Sequence, residues 1–260
     1  MNPKAYTVHM IGHGHIDPTW LWRWTEGYEE VRATFRSALE RMKETQTFKF
    51  TASSACFYAW VKNVDPEMFD QIRARVKQGR WELAGGWWVE PDCNIPGGEA
   101  FVRHGLYAQR FFQKEFGTRA RVGFNPDSFG HTGTLPQILK KMGIDYYVYM
   151  RPSPPHEMQY PDGTTFWWRA NDGSEVLACQ ISDYGGDGQR VVDRFRHYPS
   201  YPYLNPNQRH ILGFYGVGNH GGGPTKHTIK LLLDAQHDES MPVLLFSTLG
   251  EYFDAITAPK

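Results

Sequence analysis

Three places in the sequence put metal-competent or acid–base side chains directly after an apolar run. In parallel α/β folds the carboxyl ends of strands are where active sites form, so each place is a candidate for chemistry. The first is His13-Gly14-His15-Ile16-Asp17. In extended backbone alternate side chains share a side, so His15 and Asp17 can face one ion and His13 can join them. A single histidine at a strand end is more often a hydrogen-bonded rim residue, but the alternating trio favours a metal site. The second place is Phe124-Asn125-Pro126-Asp127-Ser128-Phe129-Gly130-His131, where Asp127 stands just before a helical stretch. Aspartate is a preferred helix cap and negative charge is favoured there, so on this segment alone capping and catalysis weigh equally. The third runs from Gly216 to Thr225 around His220. Its glycines let backbone approach a ligand closely, and a flexible turn alone does not explain an imidazole at its centre.

Together His15, Asp17, Asp127 and His220 offer imidazole nitrogens and carboxylate oxygens, a donor set that suits one Zn²⁺ per chain and leaves room for substrate oxygens. Cysteine ligands are not needed. Cys56, Cys93 and Cys179 form no CxxC pair and leave an odd count, against a disulfide framework and in favour of a reducing compartment. Lysine plus arginine equal aspartate plus glutamate at 28 each, so no net charge draws nucleic acid or an anionic membrane. The amino-terminal MNPKAYTVHMIGHGHID carries histidines inside its apolar stretch, unlike a signal peptide or a membrane span. A soluble cytoplasmic protein is expected. Aromatic residues make up 15% of the chain, with nine tryptophans, flat apolar faces for core packing or for stacking on sugar rings.

The elements that must position these residues read as alternating strands and helices. A strand at 6–11 precedes a helix at 26–43, whose Val31, Phe35, Leu39 and Met42 share one face. A strand at 48–52 follows. Asp65-Pro66 opens a helix with Phe69, Ile72 and Val76 inward and Gly79 past its end. Next come a strand at 81–88, a helix at 98–116, a strand at 121–126, a helix near 135–142 and a strand at 146–150. A hairpin of 165–170 with 175–181 turns on Asn171-Asp172-Gly173-Ser174, and 189–209 reads as a long surface loop. A strand at 211–217, a helix around 228–234, a strand at 242–246 and a short helix from Gly250 end the chain. About seven parallel strands in one α/β domain over 1–260 predict a β/α barrel, with an open doubly wound sheet as the other topology.

The segments HGHIDPTWLW, AGGWWVEPDCNIPGGE, NPDSFGH and GNHGGGPT resemble, in the same order, the signature segments of the family 38 glycoside hydrolases, the retaining α-mannosidases. The likeness runs from about Tyr6 to Phe253. It implies a seven-stranded β/α barrel and one zinc held by His15, Asp17, Asp127 and His220. The substrate implied is an α-mannoside or a mannose-containing oligosaccharide, whose hydroxyls at C2 and C3 the zinc binds; Asp17 then lies at the sugar as well as at the metal. Asp127 is implied as the nucleophile of a covalent glycosyl-enzyme, with the positive charge of Arg151 keeping its carboxylate ionised. Trp20 resembles a sugar-stacking tryptophan, the alternative being packing at the barrel rim. For the general acid the region 182–188 offers Asp187, with Asp183 in reserve and Glu90 and Asp92 as weaker choices.

Family members usually continue into helical and β-sandwich domains, so a chain of this length is expected to be either a fragment lacking those carboxy-terminal partners or a reduced protein; if a fragment, apolar surface meant for the missing domains is expected to be exposed and to promote self-association. Two other readings stand beside the mannosidase. His13-x-His15 after a first strand also resembles the metal pair of amidohydrolase-like enzymes. A barrel of this kind could also hold zinc and mannose without turning the sugar over.

Overall fold

The structure, a computed structural model, describes residues 2–152, 164–201, 204, 207–219 and 221–258. Its elements are, in chain order, β1 (Thr7–Gly12), α1 (Trp24–Glu44), β2 (Phe50–Ala52), α2 (Ala55–Val64), α3 (Pro66–Lys77), β3 (Trp81–Leu83), α4 (Gly98–Phe116), β4 (Val122–Asn125), α5 (Leu135–Lys141), β5 (Tyr146–Tyr149), β6 (Thr165–Arg169), β7 (Glu175–Gln180), α6 (Gln189–His197), β8 (His210–Tyr215), α7 (Lys226–Ala235), β9 (Val243–Ser247) and α8 (Leu249–Thr257). Two compact units result, one of Met1–Ala52, Trp60–Glu82 and Asp183–Lys260, the other of Ser53–Ala59 and Leu83–Ser182. Among the described residues no helix is long and apolar enough to cross a membrane.

In the first unit β1 is the middle strand of a parallel sheet, β8-β1-β9, with Thr7 opposite both His210 and Val243. A strand paired on both edges and covered on both faces is mostly apolar, and Val8, Met10 and Ile11 are fully buried, with His9 the buried polar exception. Helix α1 buries the stripe read from the sequence, Val31, Phe35, Leu39 and Met42, each worth about 1.5–3 kcal/mol when fully removed from water. Its first turn is tied by Glu26, whose carboxylate accepts the Arg23 N–H at 2.9 Å. Asp65 caps α3 as expected, accepting the Met68 N–H at 2.9 Å, and Gly79 takes φ +68° beyond the helix end.

In the second unit β4, β5 and β7 run parallel and β6 returns antiparallel to β7, the expected hairpin, with Thr165 opposite Cys179 and Arg169 opposite Glu175. Gly173 supplies the positive φ of its turn, +86°. Trp87, Phe101, Leu135, Leu139, Ile144, Tyr147 and Val176 form the core.

Four expectations are corrected. Strand pairing among the described residues draws three small sheets, β8-β1-β9, β2-β3 and β4-β5-β7-β6, and none of them is closed, whereas a closed seven-stranded barrel was expected. The strand at 81–88 stops at Leu83, because Gly85 and Gly86 adopt φ +83° and +73° and leave extended backbone. The long loop from 189 begins instead as α6, whose Val191, Val192 and Phe195 are buried; the proline- and tyrosine-rich run after it masked that short stripe. Parts of that run, at 202, 203, 205 and 206, lie outside the described residues. Helix α2 was not anticipated: ACFYAWVKNV is apolar nearly all round, so it carries no contrast of period 3.6.

Candidate active site

The first unit builds a donor loop after β1. His15 is buried and its Nε2 lies 3.2 Å from Asp17 Oδ1. The hydrogen bond from that imidazole holds the Asp17 carboxyl below its ordinary range, burial opposing and Asn219 assisting. Asn219 ties the loop to the glycine-rich segment by three hydrogen bonds. Its main-chain N–H donates to His15 O at 2.8 Å, its Oδ1 accepts the Asp17 N–H at 3.1 Å, and its Nδ2 donates to Asp17 Oδ2 at 3.2 Å. The glycines earn their place by close approach: a Cβ on Gly216 would lie 1.9 Å from His13 O, and one on Gly218 2.6 Å from His15 O. His220 follows Asn219 in sequence and lies outside the described residues.

Around this loop the Trp22 indole donates to Asp17 O at 3.1 Å, and the Tyr184 ring stands 5.0 Å from the His15 ring. His13 is committed to β2, with its Nδ1 2.9 Å from Thr51 O, and burial pushes its pKa to about 3, so the ring is neutral. Trp20 is 65% exposed, its ring edge-on to Trp22 at 5.1 Å, so it is not packed away as a rim filler.

Asp187 and Asp183 also belong to the first unit. Asp187 accepts hydroxyl bonds from Thr225, at 2.6 Å, and from Thr228, both at the start of α7. Burial pushes its pKa up, but these hydroxyls, the Gly188 N–H and the nearby His227 leave it below the ordinary carboxylate value. Asp183 is ion-paired with Arg194 and accepts the Gly185 N–H at 2.9 Å.

The second unit presents Asp127 just past β4. The following helix, α5, has Thr134 at its N-cap, so helix capping does not account for the aspartate. Its main-chain N–H donates to Glu90 Oε1 at 2.8 Å. Arg151, just past β5, brings its Nε to 2.8 Å from Asp127 Oδ1, and its guanidinium lies 4.7 Å over the Phe129 ring. The loop itself is pinned from below. Trp87 Nε1 donates to Asn125 Oδ1 at 2.9 Å and Ser128 Oγ to Pro91 O at 2.8 Å. Asp92 is a turn residue, accepting the N–H groups of Asn94 and Ile95 at 2.8 and 2.9 Å, bonds that lower its pKa. The sequence weighed Glu90 only as an acid; here it holds the main chain of Asp127. No spacing pattern signals such a contact, nor the part played by Asn219. Cys56, Cys93 and Cys179 are buried thiols, none of them in a disulfide.

Comparison with known proteins fits the ordered motifs. The chain matches the Glycosyl hydrolases family 38 N-terminal domain over residues 5–260. It is 35% identical over 257 residues to Alpha-mannosidase G of Dictyostelium discoideum, which takes in 97% of this chain and 23% of that protein. It is 32% identical over 255 residues to Alpha-mannosidase 2C1 of Homo sapiens, again over 97% of this chain and 24% of the relative. The chain thus spans about a quarter of the length of these relatives. A crystal structure of an alpha-mannosidase from Enterococcus faecalis V583 superposes with a TM-score of 0.83 over 96% of this chain and 29% of that one, at 18% identity, a likeness of fold. A family profile matched along nearly the whole sequence, with relatives of a third identity beside it, makes this chain a member of the glycosyl hydrolases of family 38, in that family's N-terminal domain.

Proposed function

We propose that residues 1–260 act as one zinc-dependent catalytic domain of a retaining α-mannosidase, hydrolysing terminal α-mannosides in the cytoplasm. The carrying observation is the donor pair after β1: His15 Nε2 lies 3.2 Å from Asp17 Oδ1, an imidazole and a carboxylate placed to share one ion, and we assign Asp127 to the same ion. Imidazole and carboxylate donors without thiolate fit zinc with positions left open, and we assign His220 as the remaining ligand. Zinc bound there would hold the sugar hydroxyls at C2 and C3 and so fix the ring's orientation.

The chain's own side chains then divide the work. Asp127 bonds to the anomeric carbon as the bond from that carbon to the leaving oxygen breaks, and Arg151 stands beside it as a fixed positive charge. Glu90 keeps the main chain of Asp127 in place. Trp20, with its ring exposed, stacks on the sugar. Asp187, with Asp183 in reserve, gives a proton to the leaving oxygen and later takes one from the attacking water, which releases the sugar with retention. The hydroxyl bonds from Thr225 and Thr228 favour the charged form of Asp187, which suits the second half-reaction; the first requires those hydroxyls to turn away.

The test is elemental analysis of the purified chain together with hydrolysis of an aryl α-mannoside. One zinc per chain and aglycone release that chelation abolishes and zinc restores are expected. Two metals per chain with amide or ester turnover would point instead to an amidohydrolase-like enzyme, and sugar binding without aglycone release to a silent mannose-binding module.

A further inference from the structure

Three successive carbonyls just past β5 are each taken up by a side chain. The Gln180 amide nitrogen donates to Met150 O at 3.1 Å and to Pro152 O at 2.9 Å. Between them, His131 Nε2 lies 2.7 Å from Arg151 O, and a carbonyl only accepts, so Nε2 carries the proton. His131 Nδ1 is then the acceptor, and it receives the hydroxyl of Tyr147 at 3.0 Å. Tyr147 is fully buried on β5, so the hydroxyl that selects this tautomer is itself fixed. Burial lowers the pKa of His131, which keeps the ring neutral and makes the tautomer matter.

The residue so gripped is the one whose side chain meets Asp127. Arg151 reaches Asp127 Oδ1 through Nε at 2.8 Å and rests on Phe129 at 4.7 Å. That Nε is buried, and its N–H does not aim squarely at the carboxylate oxygen, so side-chain geometry alone does not lock the pair. We propose that His131, oriented by Tyr147, and Gln180 are positioning residues for glycosyl transfer: by fixing the main chain on both sides of Arg151 they hold its guanidinium against the nucleophile. This rests on Asp127 acting as proposed above. His131 lies in a segment whose Asp127 already has a role, and Gln180 ends the hairpin strand β7, so neither was singled out by sequence.

The experiment follows the Arg151 Nε–H by proton–nitrogen NMR of the full chain labelled in arginine, assigned by its loss in Arg151→Lys. Arg41 and Arg194 also bury Nε and serve as internal references. In the parent the Arg151 signal should exchange slowly with water. His131→Ala and Gln180→Glu should speed its exchange about five- to tenfold, the equivalent of one lost hydrogen bond, with the references unchanged. His131→Gln, which restores an amide donor near the Nε2 position, should recover slow exchange. Tyr147→Phe, nearly isosteric, should give an intermediate rate and covers the case in which His131→Ala does not fold. With an aryl α-mannoside the same order should appear in kcat, with KM little changed. An Arg151 signal unmoved by Tyr147→Phe and Gln180→Glu, in folded protein, overturns the inference. If the signal responds but Asp127→Asn turns over at the parental rate, the clamp on Arg151 stands and the proposed role of Asp127 fails.

Discussion

Asn219 offers the sharpest perturbation of the donor loop. Its side chain makes two of the three bonds to the His15–Asp17 segment, at 3.1 and 3.2 Å, and its backbone sits at φ +32°. Asn219→Gly removes both side-chain bonds while tolerating that φ, so backbone strain does not confuse the result. A hydrogen bond to a charged group is worth about 1.5–3 kcal/mol and a neutral one about 1 kcal/mol. Both bonds are at the long end of the normal range, and Asp17 is 29% exposed, so water replaces part of what is lost. A net loss of about 1.4 kcal/mol corresponds to about a tenfold weakening of zinc, the lower edge of what outer partners of metal ligands contribute. Chelator competition measures that affinity, and urea unfolding of the metal-free protein checks that the variant folds. A folded Asn219→Gly that binds zinc as tightly as the parent would refute the role given to Asn219.

The rest of the fold yields further expectations. His9 is buried in the first unit, with Nδ1 at 2.9 Å from Ser247 Oγ and Nε2 at 3.0 Å from His210 Nδ1; burial, helped by His210 and Lys49 and opposed by Glu251, pushes its pKa from 6.5 to about 4. Because the unfolded chain binds this proton more readily, the stability it contributes is whole above pH 6.5 and is lost as pH falls toward 4. That loss amounts to about 3 kcal/mol. Urea midpoints at neutral and acid pH should show a shallower fall for His9→Gln, and parallel curves would count against it. Trp20→Ala should leave zinc content and stability nearly intact, within about 0.5 kcal/mol, while raising KM for the mannoside; a variant that unfolds would return Trp20 to a packing role. A Cβ at Gly105, inside α4, would lie 2.2 Å from Met142 Sδ, whereas one at the N-cap residue Gly97 meets nothing within 4 Å. Gly105→Ala should therefore cost about 1–3 kcal/mol in thermal or urea unfolding and Gly97→Ala much less, and equal costs would contradict the packing described.

What the sequence disclosed follows from how local each signal is. The stripe of α1, the Asp65-Pro66 start of α3, the whole span of α4 and the hairpin at Gly173 depend on neighbours a few residues away, and all appear where expected. Helix α2 lacks polar contrast and α6 is overshadowed by the run that follows it, so periodicity failed at both. The positions of the candidate residues after β1 and β4 were legible because strand ends are marked by where apolar runs stop. Their supports were not. Asn219, Glu90, His131 and Gln180 act through hydrogen bonds to segments distant in sequence, which no spacing rule encodes.

The central claim is that Asp127 attacks the sugar, and mass-spectrometric mapping of the adduct left by a mechanism-based fluorosugar tests it most directly. The nucleophile's ester should be trapped on the peptide containing Asn125-Pro126-Asp127-Ser128, at Asp127, and Asp127→Asn should stay unlabelled while keeping the folded structure. An adduct on another carboxylate would contradict the account.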